Sequence, residues 1–123
     1  MGLTYAEADV ADLLRSRRRR IRFLVDSGAI YTVVPRPILR SLGIQAERTE
    51  RFELADGTTI RRRVGTARFR IGRRTTASDV IFGGTHDEPL LGALTLEGLG
   101  LELDPMRRRL KPTRLLLAGY RQR

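Results

Sequence analysis

The stretch Phe23-Leu24-Val25-Asp26-Ser27-Gly28-Ala29 limits what this chain can fold into more than any other. Apolar residues deliver one carboxylate to a turn made of a hydroxyl residue, a glycine and an alanine. The neighbours on both sides, with Ile30 following, point to burial of Asp26. An isolated buried carboxylate is costly unless it is paired, hydrogen-bonded or neutralised, so a fold that keeps Asp26 must give it partners. Gly28 lets backbone N–H groups come close, and Ser27 offers a hydroxyl. Taken alone, the triplet reads as a strand ending in an Asx-type turn.

The 123 residues, 41% of them hydrophobic, read as one domain over 1–123 with a modest core. With no Cys there is neither a disulfide framework nor a thiolate nucleophile, which fits a reducing compartment, and a cytoplasmic location is expected. No apolar run reaches membrane-spanning length and the N-terminus lacks a signal layout, so no membrane partner is expected. Met1-Gly2 hints at myristoylation, but Ala6 stands where that motif wants Ser or Thr. The formal charge of +10 comes almost wholly from arginine and suggests an anionic partner such as nucleic acid. Against this, the arginines are spread along the chain. Their densest cluster, Arg15 to Arg20, reads as a solvated hairpin turn without the interleaved aromatics of RNA stacking. A nucleic-acid partner is therefore not expected.

Periodicity predicts many short strands. Leu3 to Leu14 suits an edge strand or a helix, and the alternation of Ile21, Phe23 and Val25 across the arginine turn favours a hairpin. Thr32-Val33-Val34 is extended until Pro35 and Pro37, and Ile38, Leu39 and Leu42 form a short helix closed by Gly43. Phe52 and Leu54 run up to Asp56-Gly57, a pair that favours a tight type I′ hairpin, and Thr58 to Val64 returns. Gly65 re-aims the chain before Ala67, Phe69 and Ile71 alternate as a further strand. Val80-Ile81-Phe82 is an apolar strand ending at Gly83-Gly84. His86-Asp87-Glu88 is the one place a metal could be imagined, yet a lone His with consecutive acids is poor zinc geometry, and an exposed loop is expected. Leu94, Leu96 and Leu99 suit a helix stopped by Gly98 or Gly100. Leu101 and Leu103 form a strand, Asp104-Pro105 turns, and Leu110 begins the return. The run Leu115-Leu116-Leu117 in the tail 113–123 suggests a strand covered by a partner chain.

These pieces, in this order, resemble the retropepsin-like aspartic proteases, single-lobe relatives of the retroviral enzymes, in a bacterial or archaeal form. The marks are Leu24-Val25-Asp26-Ser27-Gly28-Ala29 with Thr32, Leu42-Gly43, Leu54-Ala55-Asp56-Gly57 and Leu90-Leu91-Gly92, and they span about residues 3–112. The resemblance implies an all-β fold: a small closed acid-protease barrel with one or two short helices, assembled as a homodimer. It implies an endopeptidase acting on peptides or unfolded segments, with no cofactor and no metal. The family reaction uses two close carboxylates that share one proton, because two like charges so near cannot both ionise. This chain holds one such Asp, so Asp26 would meet its counterpart across a two-fold axis. Ser27, Gly28, Ala29, Thr32, Leu91 and Gly92 would support the catalytic turn. Phe52 to Arg63 would form the flap, with Ala55, Asp56, Gly57 and Thr58 at its tip over the substrate.

Retroviral members commonly carry acidic residues after Asp-Thr-Gly-Ala and an arginine after the later glycine. Here those positions hold Ile30, Tyr31 and Ala93. Losing the acids and their cation together leaves no unpaired charge, and it makes Ile30 and Tyr31 candidates for an apolar subsite. Two other readings stand beside the enzyme: a retropepsin-fold module that dimerises and binds peptides without cutting them, and a basic β-protein that binds nucleic acid.

Overall fold

The computed structural model describes residues 2–114, 119 and 121–122. Residues 5–112 form nine strands and two short helices. Strands β1 (Tyr5–Ala11) and β2 (Arg18–Val25) pair antiparallel, and the chain then passes through β3 (Thr32–Pro35) into α1 (Arg36–Ser41). Next come β4 (Ala46–Glu53), β5 (Thr59–Ile71) and β6 (Arg74–Gly83). The two-residue β7 (Leu90–Leu91), α2 (Ala93–Leu99) and the hairpin β8 (Leu101–Asp104) with β9 (Arg109–Pro112) complete the order. The main sheet runs β1-β2-β7-β3-β6-β5-β4, and β1 also pairs with β5, which closes six strands into a barrel. Closure leaves β4 as the one strand of the main sheet hanging from the barrel. Its outward residues Arg48, Glu50 and Arg51 are charged, which discourages pairing with a stray edge.

Alternation explains the core. Ile21, Phe23 and Val25 turn inward from β2, and Ala67 and Phe69 from β5; the Phe23 and Phe69 rings sit 6.3 Å apart, tilted. Leu39 from α1, Leu91 from β7 and Leu96 and Leu99 from α2 fill the space beside them. Helix α1 ends as predicted at Gly43. The Gly43 and Ile44 amides donate to the Arg40 and Leu39 carbonyls, the Schellman pairing. No helix among the described residues is long and apolar enough to cross a membrane.

Several expectations need correction. The first hairpin turn spans residues 12–17 rather than the arginine run 15–20, because Asp12 builds it: its carboxylate accepts from the Ser16 hydroxyl (2.6 Å) and the Arg17 amide (2.9 Å). Arg18, Arg19 and Arg20 therefore belong to β2. The chain does not turn at Gly65; β5 runs 13 residues through it, because its ladder with β6 continues unbroken from Val64 to Ile71. What changes at Gly65 is the buried face, since Val64 and Gly65 are both buried. Strand β6 starts at Arg74, well before Val80, its polar first half ordered by pairing that no apolar alternation announces. Helix α2 passes through Gly98, which lies against Thr76, and stops at Gly100; Leu94 points outward. The run Leu115-Leu116-Leu117 lies outside the described residues.

Across the barrel seam Asp9 stands between two arginines, Arg20 on β2 and Arg70 on β5. Its oxygens accept from Arg70 Nη2 (2.7 Å) and Arg20 Nε (3.2 Å), and the Arg70 bond above all holds the Asp9 carboxyl below the usual carboxylate range. A carboxyl depressed in the folded state contributes stability above its unfolded value and loses it as pH falls. Asp9→Asn is thus expected to cost about 1 kcal/mol at pH 7, the arginines being well solvated. Urea unfolding from pH 7 downward checks this: the gap between parent and variant should close below about pH 4.

Candidate active site

Strand β7 inserts between β2 and β3, parallel to the first and antiparallel to the second. The turn joining β2 to β3 is the segment that carries Asp26, so β7 and the helix after it are its foundation. The Asp26 amide donates to the Leu91 carbonyl (3.0 Å), and the Ala29 amide closes the turn on the Asp26 carbonyl (3.2 Å). The Gly28 amide donates to Asp26 Oδ1 at 3.0 Å.

Helix α2 begins without a side-chain cap. Its orphan N–H groups are taken up by the Asp26 turn instead. The Gly92 amide donates to Thr32 Oγ1 (3.0 Å), Ala93 to the Ala29 carbonyl (2.8 Å) and Leu94 to the Ile30 carbonyl (3.0 Å). Three consecutive donors thus pin one loop. The approach is so close that a Cβ on Gly92 would lie 2.5 Å from the Tyr31 carbonyl oxygen and 2.8 Å from that of Ile30.

Thr32 and Thr95 are fully buried, and their hydroxyls meet at 2.6 Å. Thr95 Oγ1 lies 2.9 Å from Ser78 Oγ, and that hydroxyl donates to the Asp79 carbonyl (3.3 Å). The ends of this chain set its direction, since an N–H only donates and a carbonyl only accepts. Every proton is used when Thr32 donates to Thr95 and Thr95 to Ser78. Thr32→Val, of the same shape, leaves the Gly92 amide and the Thr95 hydroxyl short of a partner. It is expected to destabilise the fold by ~1–3 kcal/mol, read from the urea midpoint.

A groove of about 450 Å³ opens beside this turn. Gly28, Ala29, Ile30 and Tyr31 form one wall, with Val33, Ile81 and Leu90 beneath. The other wall is the β4–β5 hairpin, through Phe52, Leu54, Ile60 and Arg62. Tyr31 and Phe52 touch edge to face with centroids 5.5 Å apart, which joins the hairpin to the loop that carries Asp26. Asp87 borders the groove, its carboxylate accepting from the Gly84 amide at 2.7 Å.

Two expectations about the turn change here. Asp26 is exposed in the single chain, because the turn projects from the barrel end and only backbone lies behind it. The Ser27 hydroxyl makes no hydrogen bond among the described residues, so the bracing role falls to Thr32. At the hairpin tip Ala55, Asp56, Gly57 and Thr58 are exposed and stand apart from the groove walls. The tip is not the type I′ turn predicted, since Gly57 alone has positive φ (86°). The Leu54 amide reaches the Thr58 carbonyl, and the Gly57 amide the Leu54 carbonyl, as in a three-residue loop. Asp56 Oδ1 accepts from the Thr58 hydroxyl (2.6 Å) and amide (3.0 Å), which hold its carboxyl below the usual range. That local role explains a charged residue at this tip.

Of the groove residues, Phe52, Ile60 and Arg62 fall in the segment Phe52 to Arg63 that the resemblance assigns to the flap, and Asp87 in the His86-Asp87-Glu88 loop; Thr95 behind the turn belongs to no motif. The alternation of Phe52 and Ile60 opposite one another was the available signal, and Thr95 had none.

A closed barrel, a carboxylate turn braced by a following helix and a hairpin beside it define the acid-protease class. Over residues 15–97, two thirds of its length, the chain matches the family described as "gag-polyprotein putative aspartyl protease", and it belongs to that family of retropepsin-like aspartic proteases. The fold is similar to the crystal structure of a retropepsin-like aspartic protease from Rickettsia conorii, with TM-score 0.54 and 24% identity over 84% of this chain and 85% of that one. It is also similar to the solution structure of simian foamy virus (mac) protease, with TM-score 0.51 and 18% identity over 75% of this chain and 92% of that one. No curated protein matches the chain in sequence.

Proposed function

We propose that the chain is an aspartic endopeptidase active as a homodimer, with Asp26 of each copy meeting across a two-fold axis. The single observation that carries this reading is the exposed Asp26 carboxylate, bonded by the Gly28 amide on a turn whose next residues, Gly28 to Tyr31, line an apolar groove. So much hydrogen bonding behind one solvated carboxylate makes sense if a second carboxylate completes it. In the pair, one Asp26 takes a proton from the bound water as that water attacks the scissile carbonyl. The other, protonated, donates to the carbonyl oxygen, and the amine leaves with a proton returned from the pair. Ser27 and Gly28 lie next to the axis in this reading. Ile30, Tyr31, Phe52 and Ile60 receive an apolar side chain of a peptide or unfolded segment, and the β4–β5 hairpin closes over it.

The test is incubation with a diverse peptide library across pH, read by mass spectrometry. Cleavage with an optimum on the acidic side, blocked by a statine-type transition-state analogue, is expected. Peptides that bind but stay intact at every pH would instead favour the non-cleaving module.

A further inference from the structure

The tertiary structure gathers arginines that the sequence keeps some fifty positions apart. On the outer face of β2, β1 and β5, the register sets Arg20, Asp9 and Arg70 in one row, and Arg18, Ala11 and Arg68 in the next. Residues two apart on a strand share a face, so the rows lie side by side. In the first row a carboxylate separates the two guanidinium groups and pairs with both. In the second, a methyl group stands where the carboxylate would be. Above this row the hairpin turn adds Arg15, held at φ 57° by the Asp12 turn.

A cleft of about 290 Å³ lies here, lined by Ala11, Arg15, Arg18, Arg68 and Arg70, with Asp9 as the one carboxylate. Both Asp9 oxygens are already engaged, Oδ1 by Arg20 and Oδ2 by Arg70. Among the described residues, Arg15, Arg18 and Arg68 form no ion pair. Arg68 Nε donates to the Leu13 carbonyl (3.3 Å), which steadies that guanidinium while its Nη donors stay unused. The cleft and the groove beside Asp26 share no residue.

We infer that this cleft binds a tetrahedral oxyanion of the phosphate class between Arg15, Arg18 and Arg68, over the floor of Ala11. Three cations without carboxylate partners repel one another, and an anion between them removes that repulsion while accepting charge-assisted bonds. Two strands and a turn supply the donors from three directions. Such a set suits the oxygens of a tetrahedral anion, whereas a carboxylate presents its acceptors in one plane. The anion can arrive free or as one phosphodiester of a single-stranded nucleic acid.

The test is titration of the full ¹⁵N-labelled chain with inorganic phosphate, followed by NMR at constant ionic strength set with chloride. Saturable shifts are expected at the amides of Ala11, Arg15, Arg18 and Arg68. Arg18→Gln and Arg68→Gln should each weaken binding roughly tenfold or more, the loss of a charge-assisted bond. Arg36→Gln, an equal loss of charge on α1, should leave it unchanged. A parallel titration with oligothymidylate separates the sources. Tighter binding that the same two variants abolish identifies the phosphodiester, and binding no tighter than phosphate identifies the free anion. Shifts that fail to saturate, or an Arg36→Gln chain weakened as much as Arg18→Gln, would overturn the site.

Discussion

Asp26→Asn is expected to abolish peptide cleavage, by at least ~10²–10⁴-fold, while leaving the unfolding free energy in urea within about 0.5 kcal/mol of the parent. The stability half follows from exposure. The side chain is solvated in the single chain, and the Gly28 amide can still donate to an amide oxygen. The activity half follows from the chemistry, since an amide can neither take a proton from water nor share one with its twin. Mixing the variant with the parent probes the assembly as well. At equal amounts, random pairing leaves only about one quarter of the dimers with both carboxylates. Activity falling to that level, with total protein held constant, supports a site shared between copies. A fall to one half would instead mean that each chain acts alone, and an unimpaired Asp26→Asn enzyme would refute the assignment.

Gly92→Ala is the second large effect. The new methyl would sit 2.5 Å from the Tyr31 carbonyl oxygen, a backbone atom that no rotamer change can move aside. Either α2 or the Asp26 turn must shift, and the two are tied to each other through Thr32, Ala29 and Ile30. Overpacking of this kind costs typically ~1–3 kcal/mol. Because the shift falls on the loop that aims Asp26, activity is expected to drop by about 10²-fold even in molecules that remain folded. Urea unfolding and peptide hydrolysis on the same preparation separate the two losses. A variant with parental stability and rate would mean that the turn yields freely, contrary to the bonding seen behind it.

The strands with alternating apolar residues, β2 and the second half of β5, were legible from periodicity, as were the Gly43 helix end and the order of acid turn, hairpin and Leu-Leu-Gly. Other features escaped because their signals are not local. The first half of β6 is Arg74-Thr75-Thr76-Ala77-Ser78-Asp79, with no apolar alternation, and it is a strand because β5 pairs with it and α2 packs on it. Gly65 looked like a turn because glycine weakens strands, yet the ladder on either side outweighs that small preference. Thr95 reads as an ordinary helical residue until the fold brings Thr32 and Ser78 to its hydroxyl. The exposure of Asp26 also went against its apolar neighbours, because Phe23 and Val25 face the core from β2 while Ile30 and the turn itself lie exposed beyond the strand.

What the amino-acid order determined by itself was the kind of site: one carboxylate in a Gly-containing turn, a paired hairpin and a glycine placed to meet them. Those choices rest on backbone conformation, side-chain size and periodicity, which act over a few residues. Tertiary structure alone decided that β7 slips between β2 and β3, that α2 lends its unsatisfied amides to the loop carrying Asp26, and that Arg18 and Arg68 face each other over Ala11. Such pairings depend on barrel closure and register between distant strands, so no stretch of the chain carries them on its own.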